Sequence, residues 1–128
     1  MISAITEGVR ISVRTNFRAD LSQIEHSSYF FNYTIDIENH NSYSVQLLSR
    51  EWYIFDSLGK PTIVQGEGVI GEQPVLKSGE QFNYTSGSEI RSEFGYMEGV
   101  YIFKNVASGE TFTVKIPTFQ LIFPPRMN

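Results

Sequence analysis

The chain has 128 residues, 14 acidic and 10 basic side chains and no cysteine; this fits one domain spanning residues 1–128, with a core that needs no covalent staples. Zero cysteine excludes disulfides, thiolate metal sites, thiol nucleophiles and CxxC redox chemistry. The formal charge of −4 argues against a general nucleic-acid partner, which demands excess Lys and Arg to displace phosphate counterions. The N-terminal run MISAITEGVRISVRTNF is broken by Glu7 and Arg10 before it reaches signal-peptide length. No stretch approaches the ~20 apolar residues of a membrane helix, so the expectation is a cytoplasmic protein with no membrane partner.

Period-two alternation, the mark of half-buried strands, runs through the chain. In VRISVRTNF, Val9, Ile11 and Val13 alternate with Arg10, Ser12 and Arg14. The sparse basic series Arg10, Arg14 and Arg18 reads as solvent-facing strand residues rather than a phosphate track. In FFNYTIDIEN, Phe31, Tyr33, Ile35 and Ile37 form the apolar face. The next run, YSVQLLSREWYIFDS, changes phase at Leu47-Leu48 and then sets Leu48, Arg50, Trp52 and Ile54 on one face. A β-bulge or a strand crossing between sheets produces such a slip. EQFNYTSG aligns Phe82 with Tyr84. GYMEGVYIFKN is apolar on both faces, as a central strand should be, and TFTVKIPTFQLIF carries Phe112, Val114 and Ile116 up to Pro117. Proline lacks the ladder donor and belongs at an edge, a bulge or a strand end.

Turn residues separate these runs at Asn39-His40-Asn41-Ser42, Asp56-Ser57-Leu58-Gly59, Lys77-Ser78-Gly79-Glu80, Ser86-Gly87-Ser88 and Ala107-Ser108-Gly109. No amphipathic helix is legible; SEIRSEFG, residues 88–95, has room for one helical turn. Short strands with regular turns predict an all-β, two-sheet antiparallel sandwich in preference to a barrel. Trp52, Phe31, Tyr33, Ile54, Phe82, Tyr84 and Phe112 are its predicted core, with Trp52 as the anchor on a middle strand.

Few motifs bear chemistry. Gly66-x-Gly68-x-x-Gly71 has the spacing of a dinucleotide fingerprint. That fingerprint works by joining a parallel strand to a helix whose N–H groups hold pyrophosphate. Here Pro74 and Gly79 leave no room for a helix, and Glu67 and Glu72 bring negative charge. Two readings stay open. In one, the glycines admit positive φ and close backbone approach; in the other, a backbone nest binds an anion with Lys60 or Lys77 beside it. His26 and His40 lie in loops without a neighbour at metal-ligand spacing, so no metal is expected. Asp36 and Glu38 share one strand face as solvated groups rather than a catalytic pair. Seven Tyr, ten Phe and one Trp exceed a minimal core. Tyr29, Phe30, Tyr53 and Tyr96, with Tyr43 and Phe123, are candidates for an exposed interaction surface.

Taken together, VQLLSREWYIFDSLGKPTIVQGEGVIGEQPVLKSGEQFNYTSG, GYMEGVYIF and FTVKIPTFQL closely resemble the bacterial ApaG family, from about Val9 to Pro124. The most specific parts are Arg50-x-Trp52-x-Ile54-x-Asp56, the Gly66–Pro74 stretch, Gly79-Glu80-x-Phe82-x-Tyr84-x-Ser86-Gly87 and Ile116-Pro117-x-Phe119. Ser78 departs from the proline often found there. The resemblance implies a fibronectin-type-III-like, immunoglobulin-like sandwich without assumed enzymatic activity or cofactor. Related domains occur in eukaryotic F-box proteins and in a DNA-polymerase-interacting protein, which implies a protein-interaction module. The family name is linked to diadenosine tetraphosphate hydrolysis and to cobalt and magnesium resistance, neither of them a biochemical activity of the domain. The expected function is therefore a non-enzymatic protein-interaction module with an unidentified protein partner. The alternative is binding of nucleotide, pyrophosphate or another anion at Gly66–Gly71. Free sheet edges also leave room for a homodimer.

Overall fold

A computed structural model describes residues 1–126. The strands are β1 (Ile2–Thr6), β2 (Val9–Phe17), β3 (Tyr29–Asn39), β4 (Val45–Asp56), β5 (Thr62–Glu67), β6 (Val75–Leu76), β7 (Gln81–Ile90), β8 (Phe94–Asn105) and β9 (Thr111–Ile122). Short 3₁₀ turns occupy Ala19–Leu21, Ile24–His26 and Pro124–Arg126. One sheet has the order β1-β2-β3-β7; the other has the order β5-β4-β8-β9, with β6 also pairing β4. Every pairing is antiparallel. The fold is thus the expected all-β sandwich, fibronectin-type-III-like in its β2-β3-β7 and β5-β4-β8-β9 layers, with β1 added at one edge.

The alternation legible in the sequence sets the faces. Val9, Ile11 and Val13 of β2, and Phe31, Tyr33, Ile35 and Ile37 of β3, are buried against Trp52, Met97, Tyr101, Phe103, Val114, Ile116, Phe119 and Leu121 of the other sheet. Ile54, Phe82 and Phe112 pack at the margin of this core and are half-buried. Trp52 is 2% exposed. Its ring meets Tyr33 of the opposite sheet at 5.4 Å, Phe119 at 5.8 Å and Tyr101 at 6.4 Å. Tyr84 and Tyr101 join the two sheets through a buried hydroxyl pair at 2.5 Å.

Both expected irregularities are present. The β4–β8 register slips between Leu47 and Ser49, so Leu48 is the extra residue of a bulge. Pro117 and Thr118 together oppose Glu98 where the β8–β9 register slips, so the missing proline donor falls in a bulge of an edge strand.

Three segments differ from the sequence expectation. Ser86-Gly87-Ser88 is not a turn: it lies inside β7, paired with Phe31, Asn32 and Tyr33. The Phe30 ring lies across Gly87, where a Cβ would come within 2.5 Å of it, so a neighbouring aromatic covers the strand in place of the missing side chain. Residues 88–95 form no helical turn, because β7 runs to Ile90 and β8 starts at Phe94. β1 was not legible, because Ile2 and Ile5, on opposite faces, remain 43% and 59% exposed.

Residues 69–72 form a two-residue hairpin turn. Val69 and Glu72 exchange both backbone hydrogen bonds, at 2.8 and 2.9 Å. Ile70 and Gly71 have φ of 43° and 79°, the pattern of a type I′ turn. Gly68 precedes it with φ of 61°, and a Cβ there would lie 2.1 Å from the Glu72 carbonyl oxygen.

The Asp56 carboxylate closes the end of β4. It accepts hydrogen bonds from Ser92 Oγ, from Arg91 N at 2.6 Å and from Leu58 N at 3.3 Å. Burial by itself pushes its pKa up; the bonds from Ser92 and from the backbone N–H groups outweigh burial and hold it below the ordinary 3.8.

These contacts generate three expectations. Trp52→Ala should cost roughly 3–5 kcal/mol; an unchanged denaturant midpoint would contradict its place in the core. Gly68→Ala should destabilise more than Gly71→Ala. Both carry a left-handed penalty of about 1–2 kcal/mol, but a Cβ at Gly71 meets no atom within 4 Å; equal losses on chemical denaturation would rule the contact out. A depressed folded pKa means the Asp56 contribution is full above the unfolded value and fades as pH falls through the folded one. Asp56→Asn should therefore flatten the acid limb of the stability curve below about pH 4, and an acid limb as steep as the parent's would refute this.

Candidate functional site

The glycine stretch is built around Arg50. Arg50 and Trp52 lie on the inward face of β4, and Arg50 is paired in register with Gly66 of β5. The Arg50 guanidinium passes beneath Gly66, where a Cβ would come within 2.8 Å of Nη1. Nη1 donates to the carbonyl oxygens of Glu67 at 3.0 Å and Gly68 at 2.8 Å. Meanwhile Gly68 N donates to Leu48 O at 2.8 Å, and the Val69 and Glu72 amides are used in the turn. The stretch therefore directs carbonyl oxygens at a cation and commits three of its N–H groups to backbone acceptors. Among the described residues no βαβ unit is present. Lys60 sits before Thr62, at the opposite end of β5 from the turn, and Lys77 follows β6 beyond the Val45–Leu76 pair. Both are exposed, and the fold does not gather them with the three glycines.

Of the four expected surface aromatics, Tyr29 requires correction. It is 7% exposed, with its ring against Phe123 at 5.3 Å. The inward phase of β3 begins at Tyr29, so it belongs with Phe31 and Tyr33 in the core. Phe30 is half-buried over Gly87, and Tyr43 and Phe123 are half-buried at the core margin. Tyr53 is 40% exposed and donates its hydroxyl to Glu51. Tyr96 is half-buried and stacks on Phe55, with centroids 4.8 Å apart.

Register assembles a surface that the sequence reading named only in part. On the outer face of the five-stranded sheet, Tyr53 stands opposite Ile63 on β5, and Phe55 stands opposite Tyr96 on β8. Phe94 packs edge-on to Phe55 at 6.4 Å. Ile63 and Phe94 are 62% and 40% exposed. Phe55 was within reach of sequence reasoning, because it shares the phase of Tyr53. Ile63 and Phe94 were not, because only cross-strand pairing brings them to the patch. Glu51 and Glu98 border it; Thr118 donates to Glu98 at 2.9 Å.

The remaining polar groups stand in separate surroundings. Burial raises the pKa of Tyr33, Tyr84 and Tyr101, most strongly at the Tyr84–Tyr101 pair. These hydroxyls stay protonated at neutral pH and serve as hydrogen-bonding groups within the sandwich. His40 faces Glu38 at 3.1 Å on the surface, and His26 is exposed in a 3₁₀ turn. Among the described residues no three of His, Asp and Glu converge on a metal position, and no helix is long and apolar enough to cross a membrane.

Comparison with known proteins agrees with this geometry. The ApaG domain profile matches residues 19–105. Protein ApaG of Bradyrhizobium diazoefficiens is 43% identical over 97% of this chain and 95% of its own length. Protein ApaG of Vibrio vulnificus is 42% identical over 94% of each. A crystal structure of an ApaA protein from Bordetella pertussis superposes with a TM-score of 0.87 at 36% identity, covering 91% of this chain and 94% of that one. With the profile matching more than half of the chain and relatives above 40% identity along nearly all of it, the chain belongs to the ApaG family.

Proposed function

We propose that this ApaG-family chain is a non-enzymatic protein-interaction module that presents the outer face of its five-stranded sheet to a protein partner. The observation that carries this reading is contiguity. Tyr53 pairs with Ile63, Phe55 pairs and stacks with Tyr96 and meets Phe94, and Tyr53 and Phe55, two residues apart on β4, put both groups on one face. Neighbouring exposed aromatics supply large apolar contact area at low entropy cost, and such patches are favoured at interfaces. The groups with chemical potential are engaged elsewhere: Asp56 by Ser92 and backbone amides, Tyr84 by Tyr101, Arg50 by two carbonyl oxygens. Pyrophosphate binding at Gly66–Gly71 has less support, because the nearest cation there already holds those carbonyls.

Tyr53→Lys combined with Ile63→Lys tests the proposal. Tyr53 is 40% and Ile63 62% exposed, outside the core, so stability should change by no more than about 0.5 kcal/mol per site. Affinity capture from native lysate should recover specific partners with the parental protein and lose them with the double variant. Capture that is indifferent to the double substitution, or no capture above background by the parent, would defeat the reading.

A further inference from the structure

A cavity of about 830 Å³ opens between the two sheets, at the edge where β2 faces β9. Val13, Phe17, Phe31, Phe119 and Ile122 give it an apolar floor. It begins where the β1–β2 ladder stops, at the Ile2–Val13 pair. Ile2 faces inward with buried Val13 yet is 43% exposed. Thr15 lies on the same inward face and is also exposed. Inward-facing groups are left open to solvent because, among the described residues, no strand pairs with β2 on this side beyond Val13.

Its two walls are free strand edges. In an antiparallel ladder alternate residues turn both backbone groups to the same neighbour. Val9 pairs with Thr6 across the turn between β1 and β2, so the odd residues of β2 face β1. The even residues face β3, and Arg18 N donating to Phe30 O at 2.8 Å extends that series. Thr15 and Phe17 therefore turn N–H and C=O toward the side that β1 no longer covers. On the other wall, Phe123 N donates to Glu93 O at 2.9 Å, so odd residues there face β8 and Gln120 and Ile122 face outward. Further along, β1 does cover β9, where Lys115 N donates to Thr6 Oγ1 at 3.4 Å.

The charge at the slot has one sign. Among the described residues Arg14 lines it and no carboxylate side chain does. Across the β2–β3 ladder Arg10 is opposite Glu38, whereas Arg14 is opposite Thr34. Among the described residues Arg14 has no ion-pair partner, in a chain whose net charge is −4.

We propose that this slot takes one extended segment of a partner protein, added antiparallel to β2 on the line of β1, with two apolar side chains flanking an acidic one. Residues opposite Thr15 and Phe17 form backbone hydrogen bonds and direct their side chains onto the apolar floor. The residue between them, opposite Asn16, points outward and lies diagonal to Arg14, within reach of a carboxylate. This is strand addition, with main-chain bonds supplying affinity and alternate side chains supplying specificity. The inference rests on the interaction-module reading and adds a second surface with its own partner chemistry.

The test is titration of the ¹⁵N-labelled protein with a short capped peptide centred on Val-Glu-Val, against one centred on Val-Lys-Val. Amide shifts should centre on Thr15, Phe17, Gln120 and Ile122, and the lysine peptide should bind roughly tenfold more weakly. Arg14→Glu should reverse that preference. Thr15→Pro removes an N–H that faces the open edge rather than the β3 ladder, a position where proline is tolerated. It should abolish peptide shifts while the remaining spectrum keeps its dispersion. Shifts centred on Tyr53 and Tyr96 would overturn the slot and leave the interaction module standing. Dilution-dependent shifts of the slot amides without peptide would assign the slot to a second copy of this chain, and exchange protection of Thr15 and Phe17 equal to that of Val13 would show it already filled; both overturn the proposal. Absence of any shift at millimolar peptide overturns it as well, while partner capture by the aromatic face decides the module separately.

Discussion

The two sheets are held in register by the contact of Trp52 with Tyr33. A sandwich has no continuous hydrogen bonding between its layers, so side chains alone must fix how one sheet sits on the other. Trp52 reaches from β4 to Tyr33 of the opposite sheet and, within its own sheet, to Tyr101 of β8 and Phe119 of β9. The Tyr84–Tyr101 hydroxyl pair adds a directional bond between the layers. A buried hydroxyl without a partner is costly, so this pair specifies alignment as well as contributing stability. Strand order, edges and surface patches all follow from that alignment.

Arg50 is the second consequence of the same face. Strand alternation places it inward beside Trp52, where an unpaired guanidinium would be costly. The chain accommodates it by omitting a side chain at Gly66 and turning the carbonyls of Glu67 and Gly68 toward it. Returning from there to β6 in so few residues requires left-handed backbone at Gly68, Ile70 and Gly71. The spacing of a dinucleotide fingerprint thus arises from a half-buried cation and a tight hairpin. In a nucleotide loop the amides face an anion; here carbonyl oxygens face a cation, and that reversal of polarity separates the two meanings of the same spacing.

Much of the sandwich was readable because side-chain period carries it. The inward series Val9–Val13 and Phe31–Ile37, the slip at Leu47-Leu48 and the placement of Pro117 all follow from local rules of strand geometry. Readings failed where pairing overrode local preference. Ser86-Gly87-Ser88 has turn composition, yet β3 holds it as a strand and Phe30 covers its glycine. Tyr29 was given to the surface although the phase of Phe31 and Tyr33, continued back by one pair, places it in the core. Phe55 shares the phase of Tyr53, so three of the five patch residues, Tyr53, Tyr96 and Phe55, lay within reach of the sequence, and Ile63 and Phe94 did not.

The sequence by itself determined the fold class, the centre of the core around Trp52, Phe31 and Tyr33, and the family, and it marked Leu47-Leu48 and Pro117 as irregular, because each depends on neighbours along the chain or on motif spacing. The tertiary structure alone decided what the glycines surround, which aromatics form one patch and where the sandwich stays open. Those properties depend on register between strands far apart in sequence. Ile63 meets Tyr53, Arg50 meets Gly66 and the free edge of β2 faces that of β9 only after the sheets have paired and closed on Trp52.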